Sequence, residues 1–217
     1  MAEDCVVILS GGLDSTVMLY KLVGEGKMPI TLTFDYGQKH CKEIEMAVRT
    51  SKLLGLRNML LNIPLGDIFK SSSLLEGGED IPEGHYTDEN QKSTVVPNRN
   101  MILLSFAAGM AEDRQMDEVY YGAHSNDRTT YPDCRPGFIR AVSRCTQEGT
   151  YNNVRIIAPF MDWTKADIVR EGVRLKVPFE NTWSCYKGTD MPCGKCGTCV
   201  ERREAFEIVG AIDTGVL

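Results

Sequence analysis

Short apolar runs alternate with longer amphipathic segments along this 217-residue chain. Runs of four to eight apolar or β-branched residues predict strands, whereas apolar residues that recur every three or four positions predict helices. The predicted strands cover residues 5–9, 30–34, 58–63, 118–121 and 154–157. The predicted helices cover residues 15–24, 41–54, 100–113, 137–147, 165–175 and 200–208.

The regular alternation of strand and helix predicts an α/β fold, a doubly wound, mainly parallel five-stranded sheet with helices on both faces. In such sheets a ligand binds at the carboxyl ends of the strands, so the loops that follow the strands should hold the functional residues. The long loop 66–94 has few periodic apolar residues and predicts a mobile lid. We expect the α/β domain to span residues 1–180 and a small C-terminal region to span residues 181–217.

The loop after the first predicted strand reads Ser-Gly-Gly-Leu-Asp-Ser at residues 10–15. Glycines permit a tight turn, and the unpaired N–H groups at the start of the next helix favour an anion, most often phosphate. The hydroxyls of Ser10, Ser15 and Thr16 can add hydrogen bonds. The loop lacks the lysine of a Walker P-loop and the third glycine of a dinucleotide-binding loop. It resembles the pyrophosphate loop (PP-loop) of the ATP pyrophosphatases, and a glycine-rich turn that binds nothing is the alternative.

Two basic residues, Arg99 and Lys165, stand at predicted helix starts, where the helix dipole disfavours positive charge. A bound anion would account for each of them, and a solvated surface side chain is the alternative. The asparagines on either side of Arg99, Asn98 and Asn100, are expected to cap the same helix. The sequence therefore indicates that both basic residues face an anion.

Polar loops also follow the second and fourth predicted strands. The loop after the second strand covers residues 35–40, and backbone from this strand is expected to bracket an adenine ring, as in related ATP-binding folds, with a plain surface turn as the alternative. In the proline-flanked segment 131–136, Asp133 can accept hydrogen bonds from a guanine-like edge and Arg135 can pair with a carboxylate. An Asp–Arg pair that only secures the loop is the alternative. His124 is expected to form hydrogen bonds, and a catalytic role is less favoured.

Four of the eight cysteines lie close together near the C-terminus: Cys185, Cys193, Cys196 and Cys199. Four thiolates at this spacing can surround one tetrahedral zinc ion, and Gly194 and Gly197 permit tight turns between them. Because all four positions are filled, we expect a closed structural site. An iron–sulfur cluster also suits the spacing and is the main alternative, ahead of a disulfide pair. The other cysteines are expected to be reduced, mostly packed thiols: Cys5, Cys41, Cys134 and Cys145.

The net charge of −6 argues against a protein that binds nucleic acid mainly through electrostatics, because such proteins are usually basic. No apolar stretch approaches the roughly 20 residues that span a bilayer. The acidic start of the chain runs directly into a strand and does not have the features of a signal peptide. We therefore expect a cytoplasmic protein without a membrane segment.

Six ordered motifs, followed by the four cysteines, resemble the 7-cyano-7-deazaguanine synthases of the PP-loop ATP pyrophosphatase superfamily. The motifs are Ser-Gly-Gly-x-Asp-Ser (10–15), Phe-Asp-Tyr-Gly-Gln (34–38), Val-Pro-Asn-Arg-Asn (96–100), Tyr-Pro-Asp-Cys-Arg-Pro (131–136), Thr-Lys-Ala-Asp-Ile (164–168) and Thr-Trp-Ser-Cys-Tyr-Lys-Gly (182–188). The resemblance covers nearly the whole chain. Leu13 replaces a glutamine that many members carry, and residues 124–130 differ from members with Tyr-Ser-Gly before Tyr-Pro-Asp. The substrate pocket is therefore expected to differ in detail.

This resemblance implies a Rossmann-like fold of the adenine-nucleotide alpha-hydrolase type and an ATP-dependent ligase that forms carbon–nitrogen bonds. Members of the family convert 7-carboxy-7-deazaguanine and ammonia to the amide and then to 7-cyano-7-deazaguanine (preQ0) in queuosine and archaeosine biosynthesis, with one adenylation for each step. The expected cofactors are ATP, Mg²⁺ and one structural Zn²⁺ ion per chain. A homodimer, free ammonia as the nitrogen source and no direct contact with nucleic acid are expected as well.

The resemblance also implies roles for individual residues. Asp14, Lys165 and Arg99 are expected to act in catalysis. The residues expected to bind ATP are Leu9, Ser10, Gly11, Gly12, Leu13, Asp14, Ser15, Thr16, Phe34, Tyr36 and Gln38. The residues expected to bind the deazaguanine are Asn98, Arg99, His124, Asp127, Tyr131, Asp133 and Arg135.

Three other functions fit parts of the sequence. One is a family member that stops at 7-amido-7-deazaguanine. Another is a PP-loop ligase or thiolase that modifies tRNA, which the acidic balance and the lack of an added RNA-binding domain disfavour. The third is a non-catalytic module that senses nucleotides or binds a partner through a zinc ribbon. The products formed from ATP, ammonium and the carboxylate distinguish these functions.

Overall fold

Five parallel strands form one sheet in the computed structural model, which describes residues 3–85 and 89–216. The strands are β1 (Cys5–Ile8), β2 (Pro29–Asp35), β3 (Asn58–Asn62), β4 (Glu118–Tyr120) and β5 (Arg155–Ile157), in the sheet order β3-β2-β1-β4-β5. Every strand pair is parallel. All five predicted strands are present, with ends that differ by one residue at most. The predicted α/β fold class is confirmed.

Seven α-helices accompany the strands within the described residues. They are α1 (Leu13–Gly24), α2 (Lys42–Leu53), α3 (Leu65–Ile68), α4 (Arg99–Asp113), α5 (Pro136–Gly149), α6 (Lys165–Arg174) and α7 (Gly197–Val209). All six predicted helices are present, and the short α3 was not predicted. Helices α1 and α7 begin two and three residues before the predicted positions. The predicted starts were late because the glycines at both helix starts have low helix propensity. Within residues 3–85 and 89–216, none of these helices has the length and apolar character needed to cross a membrane.

The two faces of the sheet carry separate hydrophobic cores, because neighbouring residues of a strand point to opposite faces. Val6 of β1 packs in one core with α4 and α5, and Val7 packs in the other with α1 and α6. The C-terminal region contributes to both cores, through Cys185, Cys196 and Cys199 in the first and through Ala205 and Phe206 in the second. The domain boundary predicted at residue 180 stays a prediction.

The chain reverses its course across the sheet between β3 and β4. It passes from β1 outward to β2 and β3, and then returns to the other side of β1 for β4 and β5. The loops after β1 and β4 therefore lead away from each other and leave a crevice between them. Open α/β sheets bind their ligands at this kind of position.

Gly11 allows α2 to lie directly over the loop that follows β1. Its φ is 85°, and a Cβ atom at this position would collide with the carbonyl oxygen of Glu43 in α2. Glycine is the residue that combines this backbone conformation with so close an approach. Trp183 N also donates a hydrogen bond to the Gly11 carbonyl (3.0 Å), which brings the segment after α6 to the same loop.

The predicted lid, residues 66–94, is described only in part, because residues 86–88 lie outside the described residues. The described part buries Leu74, Leu75 and Ile81 in the hydrophobic core. It ends in a 3₁₀ helix, Glu89–Thr94. The mobility of this segment stays a prediction.

Candidate active site and metal centre

The crevice at the carboxyl ends of β1, β2 and β4 gathers most of the predicted site residues. Those that line it are Leu9, Ser10, Gly12, Leu13, Asp14, Ser15, Phe34, Tyr36, Arg99, Asp127, Tyr131 and Lys165. Those placed outside its lining are Gly11, Thr16, Gln38, Asn98, His124, Asp133 and Arg135. The fold therefore brings together residues that are far apart in the sequence.

The loop after β1 is held in shape by its own hydroxyl groups. Ser10 N donates a hydrogen bond to Ser15 Oγ (3.2 Å), the two serine hydroxyls lie 3.0 Å apart, and Gly12 N donates to Ser10 Oγ (3.2 Å). Gly12 is the N-cap of α1, and it makes no side-chain hydrogen bond to the first turn of that helix. Because the helix dipole favours negative charge at this end, the loop is suited to hold an anion such as phosphate.

Lys165 is buried at the edge of the crevice between two carboxylates. Its Nζ lies 2.8 Å from both side-chain oxygens of Asp14 and 3.1 Å from Glu201 Oε2. Burial lowers the pKa of Lys165, but the charges of Asp14 and Glu201 outweigh it and raise the pKa above its ordinary value. Burial raises the pKa of Asp14, but the charges of Lys165 and His124 outweigh it and lower the pKa below its ordinary value. Asp14 and Lys165 are therefore both charged at neutral pH.

The sequence predicted an anion near Lys165, and the carboxylates of Asp14 and Glu201 provide negative charge at this position. Thr164 caps α6 with a side-chain hydrogen bond, so Lys165 begins the helix. The carboxylates of Asp14 and Glu201 offset the unfavourable helix dipole at this position. His124 Nε2 lies 3.7 Å from Asp14 Oδ2 and extends the cluster toward the loop after β4.

Arg99 begins α4 and reaches the loop that follows β2. Its guanidinium carbon lies 5.7 Å from the centre of the Tyr36 ring, and Nη1 donates a hydrogen bond to the Tyr36 hydroxyl (3.3 Å). Burial lowers the pKa of Arg99, but the phenols of Tyr36, Tyr186 and Tyr131 outweigh it and keep the pKa well above its ordinary value. A fixed guanidinium among aromatic rings suits a planar, anionic ligand.

The four C-terminal cysteines form a second site, next to the crevice. The Sγ atoms of Cys185, Cys193, Cys196 and Cys199 all lie within 4.8 Å of one another. Backbone N–H groups donate to Cys185 Sγ (3.3 and 3.4 Å) and to Cys193 Sγ (3.3 and 3.4 Å). Hydrogen bonds of this kind orient metal ligands and tune their charge. The cluster can therefore hold a metal ion.

The four scattered cysteines are free thiols, as predicted. Cys5 and Cys134 are buried, and burial raises the pKa of both thiols. Cys41 and Cys145 are exposed. The expectation that the scattered cysteines are mostly packed is therefore correct for only half of them.

The chain is similar to one protein family over nearly its whole length. The family model described as queuosine biosynthesis protein QueC matches residues 4–210. The chain belongs to the QueC family. One relative, the 7-cyano-7-deazaguanine synthase of Marinomonas sp. (strain MWYL1), is 44% identical over 213 residues, which are 98% of this chain and 97% of the relative. The 7-cyano-7-deazaguanine synthase of Brucella ovis is 46% identical over 210 residues, which are 96% of this chain and 90% of the relative.

Solved structures share the fold of this chain at low sequence identity. NMN synthetase from Francisella tularensis has a TM-score of 0.55 at 13% identity, over 99% of this chain and 81% of the other. The predicted subunit of a tRNA methyltransferase from Methanocaldococcus jannaschii has a TM-score of 0.52 at 14% identity, over 100% of this chain and 92% of the other. These likenesses support the Rossmann-like fold alone.

The crevice also contains polar and aromatic residues that were not predicted as site residues from the sequence. They include His40, Glu43, Tyr121, Trp183, Ser184, Tyr186, Thr198 and Arg202. Glu43 lies in the first turn of α2, where a glutamate ordinarily stabilises the helix dipole, so no signal marked it as part of a site. Burial raises the pKa of Glu43 to about 7, against the opposing charge of Arg99.

Arg202 of α7 lines the crevice and also contacts Asp213, close to the end of the described residues. Its Nε lies 2.6 Å from Asp213 Oδ2, its Nη2 lies 2.8 Å from Asp213 Oδ1, and its Nη1 donates to Ser184 Oγ (3.2 Å). The preceding residue, Glu201, holds Lys165. Residues 201–204 read Glu-Arg-Arg-Glu, a run that is typical of a solvated helix face, so these buried contacts could not be predicted from the local pattern.

Asp133 and Arg135 lie outside the lining of the crevice. Asp133 Oδ2 accepts a hydrogen bond from Asn100 N (3.0 Å), so Asp133 caps α4 from the segment before α5. Asn98 occupies the predicted N-cap position with a φ of 55°, but its side chain makes no hydrogen bond to the first turn of the helix. Arg135 is exposed and donates to Arg128 O (3.1 Å). The predicted contacts of Asp133 and Arg135 with a substrate stay predictions.

Gln38 and His124 do not line the crevice but contact residues that do. Gln38 Oε1 accepts a hydrogen bond from Tyr36 N (2.7 Å), and Gln38 Nε2 donates to Phe34 O (3.2 Å), so Gln38 fixes the loop after β2. His124 Nε2 lies 3.4 Å from Asp127 Oδ2. These contacts position residues that line the crevice, and direct contact with a ligand stays a prediction for both residues.

Proposed function

We propose that this protein is an ATP-dependent ligase that forms 7-cyano-7-deazaguanine from 7-carboxy-7-deazaguanine and ammonia through two adenylations. The observation that carries the proposal is the convergence of the PP-loop, Arg99 and Lys165 on one crevice in a QueC-family chain. The relatives from Marinomonas and Brucella are named 7-cyano-7-deazaguanine synthase. An anion-binding loop and two fixed cations suit a triphosphate and a carboxylate that react side by side.

Each adenylation converts a poor leaving group into AMP. In the first round a carboxylate oxygen attacks the α-phosphorus of ATP, and the bond to the β-phosphate oxygen breaks to release pyrophosphate. Ammonia then attacks the acyl carbon, AMP leaves with the electron pair of the C–O bond, and loss of a proton from nitrogen gives the amide. In the second round the amide oxygen attacks the α-phosphorus of another ATP, and the bond to the β-phosphate oxygen breaks to release a second pyrophosphate. AMP then leaves with the electron pair of the C–O bond, and loss of both N–H protons leaves the nitrile.

The crevice residues divide this work by position. We propose that residues 10–16 hold the pyrophosphate as it leaves, with Mg²⁺ accompanying the nucleotide as it usually does in phosphate chemistry. Lys165 and Arg99 neutralise charge that develops on the phosphates, and Asp14 keeps Lys165 in place. Adenine lies against the loop after β2, at Phe34 and Tyr36. Alignment of the two substrates supplies most of the acceleration, and no covalent nucleophile is required.

We propose that the four cysteines bind one structural zinc ion. Tetrahedral Zn–S bonds of about 2.3 Å place the sulfurs about 3.8 Å apart, and the observed limit of 4.8 Å between the Sγ atoms suits such a single-ion site. All four ligand positions are supplied by the protein, so the ion supports folding and takes no part in the reaction.

The wider setting of the protein follows from the family resemblance and from composition. We propose a cytoplasmic homodimer that uses free ammonia, with an α/β domain over residues 1–180 and a zinc region over residues 181–217. The net charge of −6 favours small-molecule substrates over a nucleic acid.

The test is to incubate the protein with ATP, ammonium and 7-carboxy-7-deazaguanine and to identify the products by mass spectrometry. We expect AMP, pyrophosphate and the nitrile, with the amide as an intermediate. Accumulation of the amide without the nitrile would indicate a ligase that stops halfway. ADP with orthophosphate, or no AMP that depends on the carboxylate, would contradict the proposal.

A further inference from the structure

The hydroxyl group of Tyr121 is buried in the crevice without a hydrogen-bond partner among the described residues. Tyr121 directly follows β4, is only 6% exposed and lines the crevice. Buried hydroxyls are nearly always hydrogen-bonded, because an unpaired one destabilises the folded state. An exception inside a binding crevice points to a ligand that supplies the missing partner.

Neighbouring tyrosines have partners for their hydroxyls. Tyr120 packs in the core on the other face of the sheet, and its hydroxyl donates to Glu118 Oε2 (2.9 Å). Tyr131, which lines the same crevice as Tyr121, has its hydroxyl 2.7 Å from Thr94 Oγ1. The unpaired state therefore belongs to Tyr121 in particular and is not a general feature of the tyrosines around β4.

The Tyr121 phenol stays protonated near neutral pH and can act as a donor. Burial raises its pKa, and the nearby Cys134, Asp133 and Asp127 raise it further. A neutral donor in a buried position suits an acceptor with a free lone pair, such as the carbonyl oxygen or ring nitrogen of a heterocycle.

The position of Tyr121 separates it from the expected adenine site. Tyr36 follows β2, whereas Tyr121 follows β4, on the other side of β1. The next residue, Gly122, packs against the PP-loop helix, since a Cβ atom there would lie 3.3 Å from Ser15 N. A ligand at Tyr121 would therefore lie next to the PP-loop, on the opposite side of β1 from the expected adenine site.

We propose that the Tyr121 hydroxyl donates a hydrogen bond to the purine-like carboxylic acid that is the second substrate, and that this bond sets the affinity for it. This inference rests on the proposed function. It adds a substrate-binding residue on the β4 side of the crevice, next to Asp127 and Tyr131.

The Tyr121→Phe variant tests the proposal because it removes only the hydroxyl. We expect the Kd of the whole protein for 7-carboxy-7-deazaguanine, measured by isothermal titration calorimetry, to rise about tenfold. The KM for ATP should stay unchanged, and the melting temperature should stay the same or rise, because the hydroxyl has no partner to lose. The matched control, Tyr120→Phe, should lower the melting temperature and leave the Kd unchanged.

The outcomes separate this inference from the proposed function. An unchanged Kd in Tyr121→Phe, or no binding of the heterocycle by the unmodified protein, would overturn the role of Tyr121. Tight binding by the unmodified protein, weaker binding by the variant and no formation of AMP would support Tyr121 as a binding residue and contradict the proposed reaction. A variant with a lower melting temperature and an unchanged Kd would assign the hydroxyl a structural role only.

Discussion

The crevice and the four-cysteine cluster lie next to each other but are assembled in different ways. The crevice takes Asp14, Arg99 and Lys165 from distant parts of the chain, which meet because the sheet order brings the strand ends together. The cysteines all come from residues 185–199, and their sulfur atoms meet through local turns. The charges of the crevice therefore depend on the whole fold, whereas the cluster depends on its own spacing and on the metal ion that we propose it binds.

The two regions also differ in how they tolerate buried charge. Lys165 lies between Asp14 and Glu201, so the protein itself compensates the charges of the crevice. Thiolates crowded together lack such compensation until a cation lies among them. Loss of the metal should therefore disorder the cluster, whereas loss of one crevice carboxylate should change the chemistry and leave the fold in place.

Replacing Cys196 by serine should have the largest effect and would sharpen this contrast. Cys196 is buried and is also the N-cap residue of α7, so the variant loses a metal ligand at the start of a helix. We expect bound metal and soluble protein to be lost together, because metal binding contributes on the order of 10 kcal/mol to the folding of such sites. Metal content by elemental mass spectrometry and the soluble fraction after expression measure the two effects.

Cys145→Ser is the control for this variant, because Cys145 is an exposed free thiol. It should keep its metal and its solubility. A Cys196→Ser protein that is soluble, free of metal and active would show that the cluster is dispensable, and the contrast with the crevice would then fail.

Replacing Asp14 by alanine should have the next largest effect, on activity alone. The variant leaves Lys165 with Glu201 as its remaining carboxylate partner and removes the group that places Lys165 at the PP-loop. We expect the rate of AMP formation to fall by about 10²–10³-fold, the usual cost of losing one preorganised charged group. Circular dichroism should remain unchanged. Asp113→Ala, at an exposed aspartate at the end of α4, is the control, and retained turnover in Asp14→Ala would remove the loop carboxylate from the mechanism.

Replacing Glu43 by glutamine should have the smallest effect, on the pH dependence of stability. Burial raises the pKa of Glu43 to about 7, above its value in the unfolded chain, so Glu43 in the folded protein binds more protons between about pH 4.5 and 7. The contribution of Glu43 to stability therefore falls as pH rises through this window. Urea unfolding at pH 5 and pH 8 should show Glu43→Gln gaining stability over the unmodified protein at pH 8 relative to pH 5. An equal difference at both pH values, as expected for exposed Glu45→Gln, would place Glu43 in water.

The features that were predicted correctly from the sequence depend on residues that lie close together along the chain. Alternating strand and helix patterns predicted the α/β sheet, and cysteine spacing predicted the cluster. The side chain that caps α4 was not predicted, because Asp133 lies 33 residues from Asn100, whose N–H it accepts a hydrogen bond from. Glu43 and Tyr121 were missed for a similar reason. Each has an ordinary local environment, as a first-turn glutamate and a strand-end tyrosine, and only the packing of distant elements places it in the crevice.

The contacts of α7 tie the C-terminal part of the described residues to the crevice. Glu201 holds Lys165, and Arg202 forms part of the crevice wall while it grips Asp213. A truncated protein that stops before α7 would keep the PP-loop. It would lack Arg202 in the lining of the crevice and Glu201 as a partner of Lys165. A fusion that replaces the C-terminal region of this α/β protein would therefore need residues equivalent to Glu201 and Arg202.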